Sequence, residues 1–188
     1  MTPRISSFHR AAVLGFDGFV AALVLRAPAA AAPVPRRDGS ATPFARRPMA
    51  SDMDAEFRFD VELPVRYRDL DTLGHVNNAV YATYLEGART RYVDRLLGSV
   101  VTDGGMVLAN LEINFRRPVT LEAGSVRVEC GVLEMGESSF RMGYRVYGDD
   151  DSPAATGESV QVARDGESSR PLPAEWREAF QGFEPGLD

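Results

Sequence analysis

The sequence predicts a domain of the α+β class, in which a five-stranded antiparallel sheet wraps around one long helix and a short helix follows at the C-terminus. Three observations predict this architecture. After residue 53, apolar and polar residues alternate in several separate segments, which is the pattern of half-buried strands. Between the first two of these segments, one apolar stripe recurs with helical spacing. The first 50 residues are instead rich in Ala, Pro and Arg and show neither period.

The first strand is predicted over residues 57–68, where aromatic or aliphatic residues occupy every second position. Pro64 falls on the polar phase and has no N–H to donate, so a bulge or an unpaired edge is expected there. Residues 69–78 follow with no sustained apolar period, and we predict a loop.

The long helix is predicted from a stripe of apolar residues at offsets of 0, 3, 4, 7, 11 and 15, namely Tyr81, Tyr84, Leu85, Ala88, Tyr92 and Leu96. Asn77 or Asn78 is placed to cap the start of this helix, and Gly98 is placed to end it.

Four further strands are predicted around residues 111–115, 126–132, 140–146 and 160–162, in the order of a meander. A short final helix is predicted over residues 174–180, where Trp176 and Phe180 are spaced to cover an exposed patch of the sheet.

The long helix must bury its apolar stripe, and one face of the sheet is the only large apolar surface available. A sheet that wraps in this way leaves strand edges and part of the opposite face uncovered. We therefore expect a partner subunit, in a homodimer or a homotetramer.

The charge of the chain is unevenly distributed and excludes several functions. The 188 residues include 27 acidic and 21 basic residues, and every basic residue is arginine. Residues 1–50 hold seven arginines and two aspartates, a net charge of +5, whereas residues 51–188 hold 14 arginines and 25 acidic residues, a net charge of −11. A domain this acidic repels polyanions, so no nucleic-acid partner is expected. Without lysine there is no Walker-type phosphate loop and no Schiff-base lysine.

Residues 1–52 are expected to lie outside the fold, as an N-terminal extension or as a segment upstream of the true start; residues 53–188 form the domain. The apolar stretch at 11–25 contains Asp17 and is shorter than the roughly 20 residues that span a bilayer. We therefore expect no membrane span and a cytoplasmic protein. One cysteine and two histidines allow no disulfide framework and no four-cysteine zinc site within the chain, and we expect no metal site.

A sequence motif gives a more specific indication. The run from Tyr67 to Ala79, Tyr-Arg-Asp-Leu-Asp-Thr-Leu-Gly-His-Val-Asn-Asn-Ala, is followed by Tyr81, Tyr84-Leu85-Glu86 and Ala88-Arg89. It resembles the signature of hot-dog-fold acyl-CoA thioesterases of the 4-hydroxybenzoyl-CoA thioesterase type. The resemblance implies the hot-dog fold and hydrolysis of an acyl-CoA or aroyl-CoA. Coenzyme A would enter as part of the substrate, and no separate cofactor is expected.

The resemblance also implies roles for residues of this motif. Asp71 matches the position that acts as nucleophile or as general base, and sequence leaves both roles open. The backbone amide of Asn78 matches the donor to the developing oxyanion, since the first amides of a helix are unpaired. Gly74, His75 and Asn77 belong to the same motif and are expected at the pocket. A purely structural interpretation is that Asp71 only makes an Asx-turn and Asn77 only caps the helix.

Further substrate contacts are expected outside the loop. Tyr81 is a candidate for the pocket wall, and Glu86 is the second choice for the catalytic carboxylate. Benzoyl-type relatives hold the phosphates of coenzyme A with a basic cluster before a Ser-Phe pair, but here the sequence 136–138 before Ser139 is Gly-Glu-Ser. Ser139 itself is a candidate for a substrate contact. The remaining candidates for phosphate contact are arginines, whose forked geometry suits phosphate oxygens: Arg116, Arg117 and Arg141.

Three other functions stay open at this point. One is hydrolysis of an acyl group held by a carrier protein, and another is a domain that binds acyl-CoA without catalysis, as a sensor or scaffold. A hydratase or dehydratase of the same fold would need a differently placed His with an acid, and His75 is the only histidine after residue 50. Cys130 is in phase with buried valines and is expected to be a small buried residue, not a nucleophile.

Overall fold

The computed structural model describes residues 56–98, 105–184 and 186–187. Its strands and helices, in chain order, are β1 (Phe59–Pro64), α1 (Asn78–Leu97), β2 (Met106–Phe115), β3 (Ser125–Met135), β4 (Ser139–Tyr147), β5 (Ala155–Asp165), β6 (Ser168–Ser169) and α2 (Ala174–Phe183). The extension predicted at residues 1–52 lies outside the described residues, so the domain boundary stays a prediction.

The five main strands form one antiparallel sheet in the spatial order β1-β3-β4-β5-β2, and the two-residue β6 pairs with the end of β5. The predicted fold class is confirmed, because this sheet curves around the single long helix and a short helix follows. The predicted meander is correct for β3, β4 and β5 and wrong for β2, which crosses to the far edge and pairs with β5. Alternation shows which side of a strand is buried, but it does not determine the neighbouring strand.

The first strand is shorter than predicted. It ends at Pro64, which lies opposite Ser125, and Tyr67 is 83% exposed although it continues the apolar alternation. The chain turns here because the Asp69 carboxylate accepts a hydrogen bond from the backbone N–H of Arg66 (2.9 Å) and closes a short 3-10 turn. β1 lies at an edge of the sheet, as the proline indicated.

Helix α1 has the bounds that its sequence predicts, and five of the six residues of the predicted stripe are buried. Leu96 is half-buried, and Arg89 and Val93 are buried in addition. The helix runs over 20 residues, is capped by the Asn77 side chain, and ends at Gly98, whose φ of 69° favours glycine. The stripe on its buried face packs against the alternating apolar residues of β1, β3, β4 and β5. Within the described part of the chain, no helix is long and apolar enough to cross a membrane.

The C-terminal helix closes one end of the core. Trp176 and Phe180 are both buried, as predicted, although α2 runs three residues further than expected, to Phe183. The ring of Phe180 lies 4.9 Å from that of Phe140 on β4. Just beyond the helix, the buried Glu184 carboxylate accepts hydrogen bonds from the Tyr92 hydroxyl (2.5 Å) and the Val132 N–H (3.2 Å). The end of α2 is thereby attached to both α1 and β3.

Two glycines test this attachment. A Cβ atom at Gly131 would lie 2.7 Å from the Glu184 carboxylate oxygen and 3.1 Å from the Phe57 ring, whereas one at Gly182 in α2 would meet no atom within 4 Å. We expect Gly131→Ala to destabilise the protein by about 1–3 kcal/mol through overpacking. Gly182→Ala should stabilise it by about 0.5 kcal/mol, because Gly is unfavourable within a helix. Thermal unfolding measures both, and equal shifts of Tm in the same direction would contradict this packing.

Candidate active site

The loop between β1 and α1 is closed by its own backbone. The Asp71 N–H donates to the carbonyl of His75 (2.7 Å), and the Gly74 N–H donates to the carbonyl of Asp71 (3.1 Å). Gly74 has a φ of 77°, a left-handed conformation that favours glycine at this tight turn. The Val76 N–H donates to the carbonyl of Val119 (2.8 Å), so the loop is also attached to the segment between β2 and β3.

The Asp71 carboxylate is oriented by two backbone amides. Its Oδ1 atom accepts hydrogen bonds from the N–H groups of Leu73 (2.8 Å) and His75 (3.2 Å). The Asp71 Oδ1 atom therefore makes the Asx-turn that the purely structural interpretation expects. For Oδ2, we find no hydrogen-bond partner among residues 56–98, 105–184 and 186–187. Asp71 thus has one oxygen held in place and one available to a ligand.

Asp69, two residues earlier, has a different environment. It is 3% exposed, and its Oδ2 accepts hydrogen bonds from the Arg66 N–H (2.9 Å), the Arg66 Nε (3.1 Å) and the Tyr84 hydroxyl (3.2 Å). Burial acts to raise the pKa of Asp69, but the hydrogen bonds and charge of Arg66, with the Tyr84 hydroxyl, outweigh burial and lower the pKa below its ordinary value. Asp69 is therefore a buried anchor of the loop.

The start of α1 offers an unpaired donor beside this loop. The Asn77 side chain accepts a hydrogen bond from the Ala79 N–H (2.9 Å) and so caps the helix. Asn78 is the first residue of the helix, and within the described residues its N–H has no hydrogen-bond partner. The positive end of the helix macrodipole is added at the same place.

A cavity of about 290 Å³ lies between this loop, the start of α1 and the end of β2. It is lined by nine residues, Asp71, His75, Val76, Asn78, Tyr81, Phe115, Arg116, Arg117 and Pro118. Six of them are site residues that the sequence predicts. They come from two segments about 40 positions apart in the chain, and the antiparallel pairing of the sheet brings these segments together. The structure adds Val76, Phe115 and Pro118. Phe115 continues the alternation of β2, which indicated only a core position.

The structure does not bring the remaining candidates to the cavity. Gly74 shapes the turn and Asn77 caps the helix, and neither lines the cavity. Glu86 is an exposed residue of α1, away from the cavity lining. Ser139 is 4% exposed at the start of β4. Arg141 forms ion pairs with Glu134 (3.3 Å) and Glu158 (3.1 Å).

Two arginines in the wall of the cavity, Arg116 and Arg117, are held in place by hydrogen bonds and an ion pair. The N–H groups of Arg116 and Arg117 both donate to the carbonyl of Ala154 (2.8 and 3.1 Å). The Arg117 guanidinium pairs with Asp150 at 2.8 Å, and both side chains are about half exposed. An incoming anion would therefore compete with Asp150 for Arg117 in an exposed ion pair of low energy.

A basic residue that sequence reasoning missed reaches the turn where the benzoyl-type relatives carry their basic cluster. Arg177 of α2 donates hydrogen bonds from its guanidinium to the carbonyl oxygens of Gly136 and Glu137. Its position, 40 residues after the turn in the chain, gives no local signal of this contact. Among the described residues, no three His, Cys, Asp or Glu side chains are grouped to hold a metal ion.

With this geometry established, the comparison with known proteins identifies the family. A sequence model of the thioesterase-like superfamily matches residues 65–182. The chain belongs to the thioesterase-like superfamily. The matched residues include the loop, α1 and every strand after it, and the resemblance to hot-dog-fold thioesterases is confirmed.

Solved structures of thioesterases share the fold. A thioesterase from Thermus thermophilus, crystallised with coenzyme A and Zn, is 39% identical, with 68% of this chain and 95% of that chain covered and a TM-score of 0.64. DHNA-CoA thioesterase from Staphylococcus aureus is 20% identical, with 65% and 88% covered and a TM-score of 0.57. A 1,4-dihydroxy-2-naphthoyl-CoA thioesterase from Synechocystis is also 20% identical, with 65% and 94% covered and a TM-score of 0.56. The last two establish a shared fold only.

The charge of Asp69 is expected to stabilise the loop in a pH-dependent way. Because the folded state lowers its pKa, this stabilisation is present above the ordinary value of 3.8 and is lost as the pH falls through the lower folded value. We expect Asp69→Asn to reduce the free energy of unfolding at neutral pH by about 1–3 kcal/mol. Urea unfolding at a series of pH values should show the two proteins converge in acid.

Tyr84→Phe is the matched variant, because it removes one donor to Asp69 and keeps both donors from Arg66. It should cost less stability than Asp69→Asn. A deficit of Asp69→Asn that stays constant from neutral to strongly acidic pH would show that the carboxylate charge does not hold the loop.

Proposed function

We propose that this protein hydrolyses the thioester of an acyl-CoA or aroyl-CoA to the free acid and coenzyme A. The observation that carries the proposal is one cavity whose wall contains both Asp71, with an oxygen available, and Asn78, whose amide begins α1. Membership of the thioesterase-like superfamily and the coenzyme A in the 39% identical relative support the same reaction.

Asp71 is the group that we propose to start the reaction. As a general base it would take a proton from a water molecule that attacks the thioester carbonyl. As a nucleophile it would attack the carbonyl itself and expel coenzyme A as its thiolate, which takes a proton from water. The mixed anhydride that remains would then be hydrolysed by water. The amide-held Oδ1 of Asp71 supports either role, since fixed orientation of the carboxylate favours both.

The amide of Asn78 is the proposed donor to the oxygen that becomes negative during attack. Its N–H is unpaired within the described residues and lies at the positive end of the α1 macrodipole. His75 and Tyr81 complete this part of the wall. Burial raises the pKa of the Tyr81 hydroxyl, which therefore stays protonated at neutral pH.

Arg116 and Arg117 are proposed to contact the phosphates of coenzyme A. They lie in the wall of the cavity in a domain whose net charge of −11 repels a polyanion elsewhere. The reaction consumes water, and we assign no cofactor besides the coenzyme A that the substrate carries.

We also propose a homodimer or homotetramer in the cytoplasm. β2 is an edge strand whose N–H and C=O groups on one side are not paired within the described sheet. Its helix-facing residues Leu111 and Ile113 are only half-buried, and Phe115 is 40% exposed. A second subunit would cover both the strand edge and these side chains.

Asp71→Asn tests the central assignment. We expect turnover of a CoA thioester to fall by about 10²–10⁴-fold, because the amide is neither base nor nucleophile. Binding of acyl-CoA, measured as ligand-induced thermal stabilisation, should persist. Asp149→Asn is the control, since it removes an equal charge from the exposed β4–β5 turn outside the cavity.

The assay uses a panel of acyl-CoA and aroyl-CoA thioesters at low and high salt. Turnover by Asp71→Asn at the parental rate would show that the assigned mechanism is wrong. A parent that cleaves no thioester, on CoA or on a carrier protein, but is stabilised by acyl-CoA would be a sensor.

Asn78→Pro tests the oxyanion donor without removing the helix. Proline is well tolerated at the first helical position, and Asn77 already has a ψ of 136°, which suits a residue before proline. The substitution deletes the N–H that we propose as donor, together with the Asn78 side chain. We expect kcat to fall by about 10²–10³-fold with the far-ultraviolet circular dichroism unchanged.

Asn78→Ala is the matched control, because it removes the side chain and keeps the amide. It should retain most of the activity that Asn78→Pro loses. If both variants lose the same activity, the side chain of Asn78 and not its amide is the important group.

A further inference from the structure

A polar cluster lies in the interior between α1 and the sheet, and the proposed hydrolysis does not use it. We call it the Arg89 cluster, and it consists of Arg89, Tyr144, Ser159 and Gln161, which are 7%, 2%, 0% and 1% exposed. The Tyr144 hydroxyl and Ser159 hydroxyl are hydrogen-bonded at 2.7 Å, and the Gln161 amide donates to Ser159 at 2.9 Å. Burial raises the pKa of Tyr144, and the adjacent charge of Arg89 opposes this rise.

Arg89 has a donor that the protein leaves unused. Its Nη1 atom is buried and has no hydrogen-bond partner, and no ion pair of Arg89 is found within the described residues. A guanidinium cannot lose its proton in a protein, so it cannot avoid the cost of burial by becoming neutral. A buried charge without a counter-charge is strongly destabilising. The cluster therefore has the chemistry of a site for an anion.

The Arg89 cluster lies further along both α1 and the sheet than the cavity of the candidate active site. Along α1, Arg89 is eight positions after Tyr81 of the cavity wall, which is about 12 Å. Along the sheet, Ser159 lies opposite Leu111, four positions before Phe115 of the cavity wall, which is about 13 Å. The helix and the sheet thus give nearly the same separation between the reacting end and the Arg89 cluster.

The face of β2 that connects these two places is apolar. Leu111 and Ile113 are half-buried on this face. Leu85 of α1 packs directly on Gly157, since an added Cβ atom at Gly157 would lie 2.9 Å from the Leu85 side chain and 3.0 Å from the Glu112 carbonyl. An acyl chain that lies along Leu111 and Ile113 would therefore contact hydrocarbon until it reaches Arg89.

We propose that the Arg89 cluster binds a carboxylate at the far end of the acyl group, so that the preferred substrate is the CoA thioester of a dicarboxylic acid. This inference rests on the proposed function, because it assumes that the thioester lies at Asp71. The carboxylate would accept from Nη1 of Arg89 and from whichever of the Tyr144 and Ser159 hydroxyls does not donate to the other. A simple fatty acyl group would leave Nη1 unpaired.

The experiment compares suberoyl-CoA with octanoyl-CoA, which have acyl chains of equal carbon number and differ in the terminal carboxylate. Dissociation constants are measured by calorimetry on the Asp71→Asn protein, and kcat/KM is measured on the parent. We expect suberoyl-CoA to be favoured by at least about tenfold in both, as a hydrogen-bonded charge pair would give.

Arg89→Met tests the residue, and Arg91→Met is its control. Methionine fills a similar volume without charge, and replacement of a buried charge by an apolar side chain is often neutral or stabilising. Arg91 is exposed on the same helix and donates to the Gly87 carbonyl. Arg89→Met should lose the preference for suberoyl-CoA, leave octanoyl-CoA binding unchanged, and keep or raise Tm. Arg91→Met should keep the preference.

The outcomes separate this inference from the proposed function. Equal binding of the two thioesters, or a preference that Arg89→Met retains, would overturn the inference while hydrolysis stands. A purely structural role of Arg89 would change Tm and leave the ratio of the two dissociation constants unaltered. An Arg89-dependent preference in binding without any hydrolysis would support the carboxylate site and overturn the proposed reaction. If Arg89→Met does not fold, equal binding of the two thioesters without that substitution would still overturn the inference.

Discussion

The buried carboxylate of Asp69 is the interaction on which the candidate active site depends. Asp69 joins three segments of the chain. Its carboxylate accepts hydrogen bonds from Arg66 after β1 and from Tyr84 on α1, and its backbone carbonyl accepts one from the Asn77 N–H (2.8 Å). The chain between these points contains Asp71. The distance between the Asp71 carboxylate and the first amide of α1 is therefore set by an ion pair and a tyrosine that do not line the cavity themselves.

The electrostatics of the site contrast with those of the domain. With 25 acidic residues and no lysine after residue 50, the domain carries a net charge of −11 and repels anions. Arg116 and Arg117 bring positive charge to the cavity wall, and the Asp150 carboxylate is paired with the Arg117 guanidinium. Two arginines on opposite faces of the sheet differ in their pairing. Arg141 on the outer face forms two ion pairs, whereas Arg89 on the inner side has a donor without a partner among the described residues.

Local sequence patterns were sufficient where a residue's role depends on its neighbours in the chain. The apolar stripe of α1, its cap at Asn77 and its end at Gly98 are all as predicted, because helix periodicity and capping involve only a few adjacent residues. Alternation failed at Tyr67, since the hydrogen bond from Arg66 to Asp69 turns the chain out of the strand there. It also did not place β2 beside β5, because strand order depends on contacts distant in sequence.

The sequence alone determined the fold class, the extent of α1 and the loop that carries Asp71, since hydrophobic periodicity and a contiguous motif are readable along the chain. Only the tertiary structure decided which candidates meet at one cavity. It placed Arg116 and Arg117 beside Asp71 and Glu86 outside, because the pairing of β2 with β5 and the direction of α1 determine these distances. It also showed that Arg89, which follows Ala88 on the helix, lies buried with its Nη1 atom unpaired among the described residues. That property depends on residues of β4 and β5 that are distant in the chain, and no local pattern contains it.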